Sequence, residues 1–283
     1  MNELSYKEFY GQITDLKSII TDNFSLGASF LGQDITCFHI GKYNRPQIII
    51  EGGIHAREYI SSLVVIEECK LLKQLENSLE FGVFAVPLGN PDGVQLVLDG
   101  ITPNIPPKLS KFLLKLNGSD NFKLWKANIL GTDLNVNFDA LWGKGFSNKF
   151  KPASENFVGY RPNSEKETRT LIKLLDHKNI IGSLSFHSKG EVVYYGYDNL
   201  PNNLINRDKL IAEKLASFLR YTPEKTYKSV GGFSDFISEK LKVPSFTIEV
   251  GEDSLTHPIE SKHIKEILTH TLGITQAFYN YIH

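Results

Sequence analysis

Six short runs along this chain are almost unbroken in apolar, β-branched or aromatic residues: ITCFHI, PQIIIEG, FGVFAVPL, IIGSLSFH, EVVYYGY and PSFTIEV. That composition, bounded by turn-forming residues, predicts strands. Between and around them, REYISSLVVIEECKLLKQL, SEKETRTLIKLLDH, NLINRDKLIAEKLASFLR and IKEILTHTLGITQAFYNY repeat their apolar positions at helical spacing, as does the opening MNELSYKEFYGQITDLKSII. Strands alternating with helices predict an α/β fold of three layers, α/β/α, around a central mixed, largely parallel sheet. Residues 98–145, with PNIPP, NGSDN and WGKG, read as one extended loop region of the kind that shapes a site in a compact domain.

Composition narrows the picture. At 283 residues, with no low-complexity run or linker, the chain reads as a single catalytic domain over residues 1–283. Lys plus Arg number 31 against 32 Asp plus Glu, a formal charge of -1, so no broad electrostatic case exists for nucleic acid or an anionic membrane. No stretch is long and apolar enough to insert in a bilayer, and the first residues lack the apolar core of a signal peptide. Cys37 and Cys69 form neither a disulfide framework nor a metal-type spacing. A cytoplasmic location is the expectation.

The spacing H-x-x-E occurs three times, and context separates the copies. His263 and Glu266 fall on the polar face of an amphipathic segment, and His257 precedes Pro258, which favours a turn. Only His55 and Glu58 follow a strand and a Gly-Gly turn, where open α/β sheets place their ligand sites. His187, closing IIGSLSFH, is the natural third partner. Two imidazoles and one carboxylate make a catalytic set for one zinc ion, with a position left for water. Hydrolysis also needs a proton acceptor, and Glu249, at the end of PSFTIEV before Gly251, is the candidate.

The ordered motifs GGIHAREYI, GNPDGV, GTDLNVNFDALWG, SFHSKGE, Tyr227 followed by GGFSD, and TIEV together resemble the zinc metallocarboxypeptidases, from Ile48 to the C-terminus. The resemblance implies a carboxypeptidase A-like fold, zinc on His55, Glu58 and His187, Glu249 as general base and acid, and Tyr227 as a phenol closing over substrate. HSKGE together with GYRPNSEKET is similar to the bacterial branch that cleaves γ-D-glutamyl to diamino-acid bonds. The implied partner is therefore a peptide or muropeptide.

Two departures matter. Val136 stands where the family usually has a carboxylate-binding arginine, and Leu130 where many bacterial relatives have an arginine that polarises the scissile carbonyl. Arg161, Lys189 or Lys126 would restore the charge, with Arg161 and Lys189 the first candidates. Arg57 suits either a substrate carboxylate or an ion pair with a nearby acid, and Asn135 either a terminal carboxylate or a turn. Asp133 and Asp139 read as acids that orient ligands or loops, and Asn90, Pro91 and Asp92 as a tight turn. Two other readings stand beside the peptidase: a metal-dependent deacylase acting on N-acyl amino acids, and a zinc-binding pseudoenzyme that holds cell-wall peptides without cutting them.

Overall fold

The computed structural model describes residues 4–282. Eight strands, β1 (Asn23–Ala28), β2 (Asp34–Ile40), β3 (Gln47–Gly52), β4 (Gly82–Val86), β5 (Ile180–His187), β6 (Val192–Tyr195), β7 (Thr222–Lys225) and β8 (Ser245–Glu249), form one sheet in the order β1-β2-β4-β3-β5-β8-β6-β7. The pairs β3/β4, β3/β5, β5/β8 and β6/β7 are parallel, whereas β1/β2, β2/β4 and β6/β8 are antiparallel. The mixed, largely parallel sheet expected from the sequence is what the chain builds.

Alternation along the central strands feeds two apolar layers. Ile48 and Ile50 of β3 face one with Val83, Ala85, Phe246 and Ile248, while Ile49 faces the other with Phe84 and Val86. The first layer is closed by α1 (Tyr6–Ile19), α2 (Ile60–Leu75), α6 (Asn202–Leu219), α8 (Ile264–Thr271) and α9 (Ile274–Ile282), and the second by α5 (Lys166–Ile172) and α7 (Phe233–Leu241). No helix among the described residues is long and apolar enough to cross a membrane.

Residues 98–145 differ from the single loop that their composition suggests. They contain the end of α3 (Pro91–Asp99) and all of α4 (Pro107–Asn117). Prolines hid α4, yet Pro107 is in the first turn, where a proline's missing N–H costs nothing, and Gly118 ends the helix at φ 74°. Apart from a 3-10 turn at Leu134–Val136, the remainder stays irregular and wraps toward the site described below.

From β3 the chain runs to β4 on one side and, much later, to β5 on the other, so a topological switch point lies at the carboxyl end of β3. The turn there depends on Gly53, whose φ is 66° and whose amide donates to Ser61 Oγ at 3.0 Å. A Cβ on Gly53 would sit 2.2 Å from Ser62 Oγ and 3.1 Å from Leu88 Cδ1. Gly53→Ala is expected to destabilise the fold by at least about 1–2 kcal/mol, the usual penalty for a left-handed non-glycine residue. A lowered urea midpoint at unchanged slope is the readout.

Candidate active site

After Gly53 the backbone stays extended through His55, then makes one 3-10 turn over Ala56–Glu58 before α2. That turn brings His55 Nδ1 to 3.0 Å from Glu58 Oε2. β5 delivers His187 from the neighbouring strand, with Nδ1 3.0 Å from Glu58 Oε2 and 3.0 Å from His55 Nδ1. All three side chains are buried. Two imidazole nitrogens and a carboxylate oxygen aimed at one point suit a zinc ion, whose bonds to such atoms run about 2.0–2.2 Å. Burial opposes ionisation of Glu58, but His55 and His187 hold its carboxyl well below the usual range, while burial and His55 keep His187 toward its neutral form. An ionised carboxylate and a neutral imidazole are the forms that bind a metal.

The loop 126–137 braces this trio. Asp133, fully buried, places Oδ1 3.2 Å from His55 Nε2, a charge contact rather than an aligned hydrogen bond. Its carboxylate also accepts from the amides of Asn135 and Asn156, and Lys126 Nζ lies 3.2 Å from Oδ2. Burial would raise Asp133, yet Lys126 and His55 hold it far below the carboxylate range. Asn90, read from sequence as a turn, caps α3 by accepting from Gly93 N, and its amide donates to the carbonyls of Ile54 and Ala127. It thereby ties the loop before His55 to the loop carrying Lys126.

Glu249 ends β8 and pairs in register with His187. It lines a cavity of about 530 Å³ together with His55, His187, Lys126, Asn135 and Tyr227. Glu249 Oε2 is shielded from solvent and has no hydrogen-bond partner. Burial pushes its carboxyl up to about 8, with the Glu58 charge acting in the same direction. A cation at the trio would act in the opposite sense.

The remaining sequence candidates divide. Asn135 points its amide at His187 Nε2 (3.4 Å) and accepts from Phe233 N at 2.9 Å. Tyr227 stands at the mouth, 78% exposed, with Lys228 over its ring. Arg57 turns instead to Glu155 Oε2 and the Leu124 carbonyl, both at 3.2 Å, the ion-pair arrangement rather than a cavity-lining one. Arg161 lines a separate cavity of about 380 Å³ with Leu130, and Lys189 is drawn to Asp253 at 2.8 Å. Neither lines the cavity that holds His55, His187 and Glu249. Of the three candidate cations, Lys126 alone lines it, beside Val136.

Asp139 is exposed on its loop, its amide bonded to Asn163 Oδ1. His263 and Glu266 lie 4.0 Å apart on the outside of the molecule, as their amphipathic context predicts. No motif or periodicity marks Phe146, which is 85% exposed at the cavity rim. Tyr194 is likewise unmarked, and its place on the wall follows from the alternation of β6.

A zinc carboxypeptidase family model matches residues 6–272. Gamma-D-glutamyl-L-diamino acid endopeptidase 1 of Lysinibacillus sphaericus is 30% identical over 266 residues, covering 89% of this chain and 65% of that protein. The chain thus spans less than two thirds of that relative's length. Carboxypeptidase B of Rattus norvegicus is 27% identical over 296 residues, covering 95% and 67%. Among solved structures, bovine thrombin-activatable fibrinolysis inhibitor, in complex with tick carboxypeptidase inhibitor, superposes with a TM-score of 0.81 at 19% identity over 99% of this chain and 97% of that one. The murein-tripeptide amidase of Escherichia coli O157 gives 0.60 at 21% identity over 92% of each. At those identities the structural likeness is one of fold. The sequence match, which runs from the first residue of α1 to just beyond α8, carries the stronger conclusion: this chain belongs to the zinc carboxypeptidase family.

Proposed function

We propose that the chain is a zinc-dependent peptidase that hydrolyses an amide bond in peptidoglycan-derived peptides, at a γ-D-glutamyl to diamino-acid linkage. The observation that carries this reading is an unpartnered carboxylate, Glu249, on the wall of the cavity that His55 and His187 also line, with Glu58 in contact with both imidazoles. Zinc bound there supplies a Lewis acid that acidifies water and polarises a carbonyl. Glu249 takes the proton that water gives up and returns it to the departing amine nitrogen, so the products are a carboxylic acid and an amine. The choice of bond is supported by the HSKGE motif and by the similarity to an endopeptidase of that name.

Mass spectrometry on three substrate sets tests the proposal: γ-D-glutamyl-diamino-acid peptides, ordinary α-peptides and N-acyl amino acids. Cleavage of the first set in preference to the others is expected. Release of C-terminal residues from α-peptides alone, or of acyl groups alone, would replace the assignment. Full zinc occupancy without turnover on any set would make the chain a binding protein.

Lys126 is the cation proposed to serve the site in place of the arginines absent at Leu130 and Val136. Lys126→Met should lower kcat/KM by roughly ten- to hundredfold, the value of one charge-assisted contact, with zinc content unchanged. Lys126→Arg should recover most of the loss. If Arg161→Met or Lys189→Met, measured alongside, proved the damaging change, the charge would come from outside this cavity.

A further inference from the structure

Behind the catalytic rung of the sheet lies a second polar rung. Glu51 on β3 pairs in register with Ser185 on β5, and Ser185 is two residues before His187, on the same face of its strand. Glu51, Ser185 and His187 are all 0–1% exposed. Ser185 Oγ donates to Glu51 Oε2 at 2.7 Å and lies 3.3 Å from His187 Nε2. Glu51 Oε1 has no partner, and the backbone at Gly89 is close enough that a Cβ there would come within 3.0 Å of it. A buried carboxylate with one free oxygen is expensive to keep.

We infer that Glu51 and Ser185 are positioning residues for the metal centre, a relay that sets the tautomer and aim of His187. This rests on the reading that His55, Glu58 and His187 hold a metal. The direction of the relay follows from proton accounting. The hydroxyl proton of Ser185 is committed to Glu51, so its oxygen can only accept from His187 Nε2–H. With the proton on Nε2, the lone pair of Nδ1 is free, and Nδ1 is the atom facing Glu58 and His55. The competing contact is Asn135 Nδ2, 3.4 Å from the same Nε2. Donation from that amide would require the opposite tautomer, with the proton on Nδ1 and no lone pair for a metal. The carboxylate behind Ser185 tips the choice.

Zinc dissociation constants measured by chelator competition test the relay on four variants. Ser185→Ala removes the acceptor. Glu51→Gln permits an amide to donate to Ser185, whose proton then turns toward His187. Each should weaken zinc binding by roughly 10–100-fold. The double variant should be no weaker than the worse single, because both cut one chain. Ser185→Thr keeps the hydroxyl and should stay within about threefold of wild type, a difference of less than one hydrogen bond's usual worth. Cobalt-loaded Ser185→Ala should also show a changed visible absorption spectrum, which a purely structural role would leave alone.

Unaltered zinc affinity in both single variants, or single effects that multiply in the double, would overturn the relay. If Glu51→Gln does not fold, the contrast between Ser185→Ala and Ser185→Thr decides: equal zinc affinities in those two overturn it. A wild type that binds no zinc refutes the metal-centre reading instead, so the two failures are distinguishable.

Discussion

His187→Ala is expected to abolish stoichiometric zinc binding and all measurable hydrolysis while the sheet stays folded. The imidazole is 1% exposed and closes a trio whose atoms lie 3.0 Å apart, so no neighbouring side chain or bulk water can step into its place without opening the cavity wall. Without it, Glu58 and His55 remain as two ligands from a single turn, a set that structural and catalytic zinc sites do not use. The zinc-free variant should unfold close to where chelator-treated wild type unfolds, since both lack the stabilisation that a bound metal gives the native state. Metal analysis of the purified variant and its urea transition are the measurements. Full zinc occupancy in His187→Ala would remove this residue from the metal centre, and His55→Ala should behave in the same way.

The parts of this molecule that could be read from sequence are those whose geometry is set within a few residues. β3, β5 and β8 are mostly buried runs rich in β-branched and aromatic residues, β3 buried on both faces, and a residue at the end of such a run falls at the carboxyl edge of the sheet without further information. His187 and Glu249 are legible as site candidates for that reason, and His55 and Glu58 because they follow the end of β3 within a few residues. The edge strands were not: β1 (NFSLGA) is mostly part-exposed, and β7 (TPEK) has no buried position, so neither carries an apolar signal. The cations failed for a different reason. A lysine or arginine head lies several rotatable bonds from its backbone, and its destination depends on which acid the fold brings within reach. Lys189 goes to Asp253, Arg57 to Glu155, and Lys126 to Asp133. Only the last of those pairings leaves a charge on the cavity wall.

Glu249→Gln should separate chemistry from metal binding, and its effects on rate and on stability should have opposite signs. Gln keeps the shape of the side chain and leaves the three ligands untouched, so zinc content is expected to match wild type. A neutral amide accepts no proton at working pH, and loss of a positioned general base and acid typically removes about 10²–10⁴-fold in rate. The fall should appear in kcat, with KM little changed, because the proposed role of Glu249 is in the proton transfers rather than the grip on substrate. Stability should move the other way in the metal-free protein. Burial and Glu58 raise the folded-state carboxyl to about 8, above its value in the unfolded chain. Between the two values the unfolded chain binds fewer protons than the native one, so this group's contribution weakens as pH rises through that window. Gln has no proton to lose and escapes the penalty. Metal-free Glu249→Gln should therefore unfold at higher urea than metal-free wild type at neutral pH, with the gap narrowing as pH falls toward the ordinary carboxylate range. A variant that kept its kcat would take Glu249 out of the mechanism, and one that lost kcat together with zinc would make it part of the metal site.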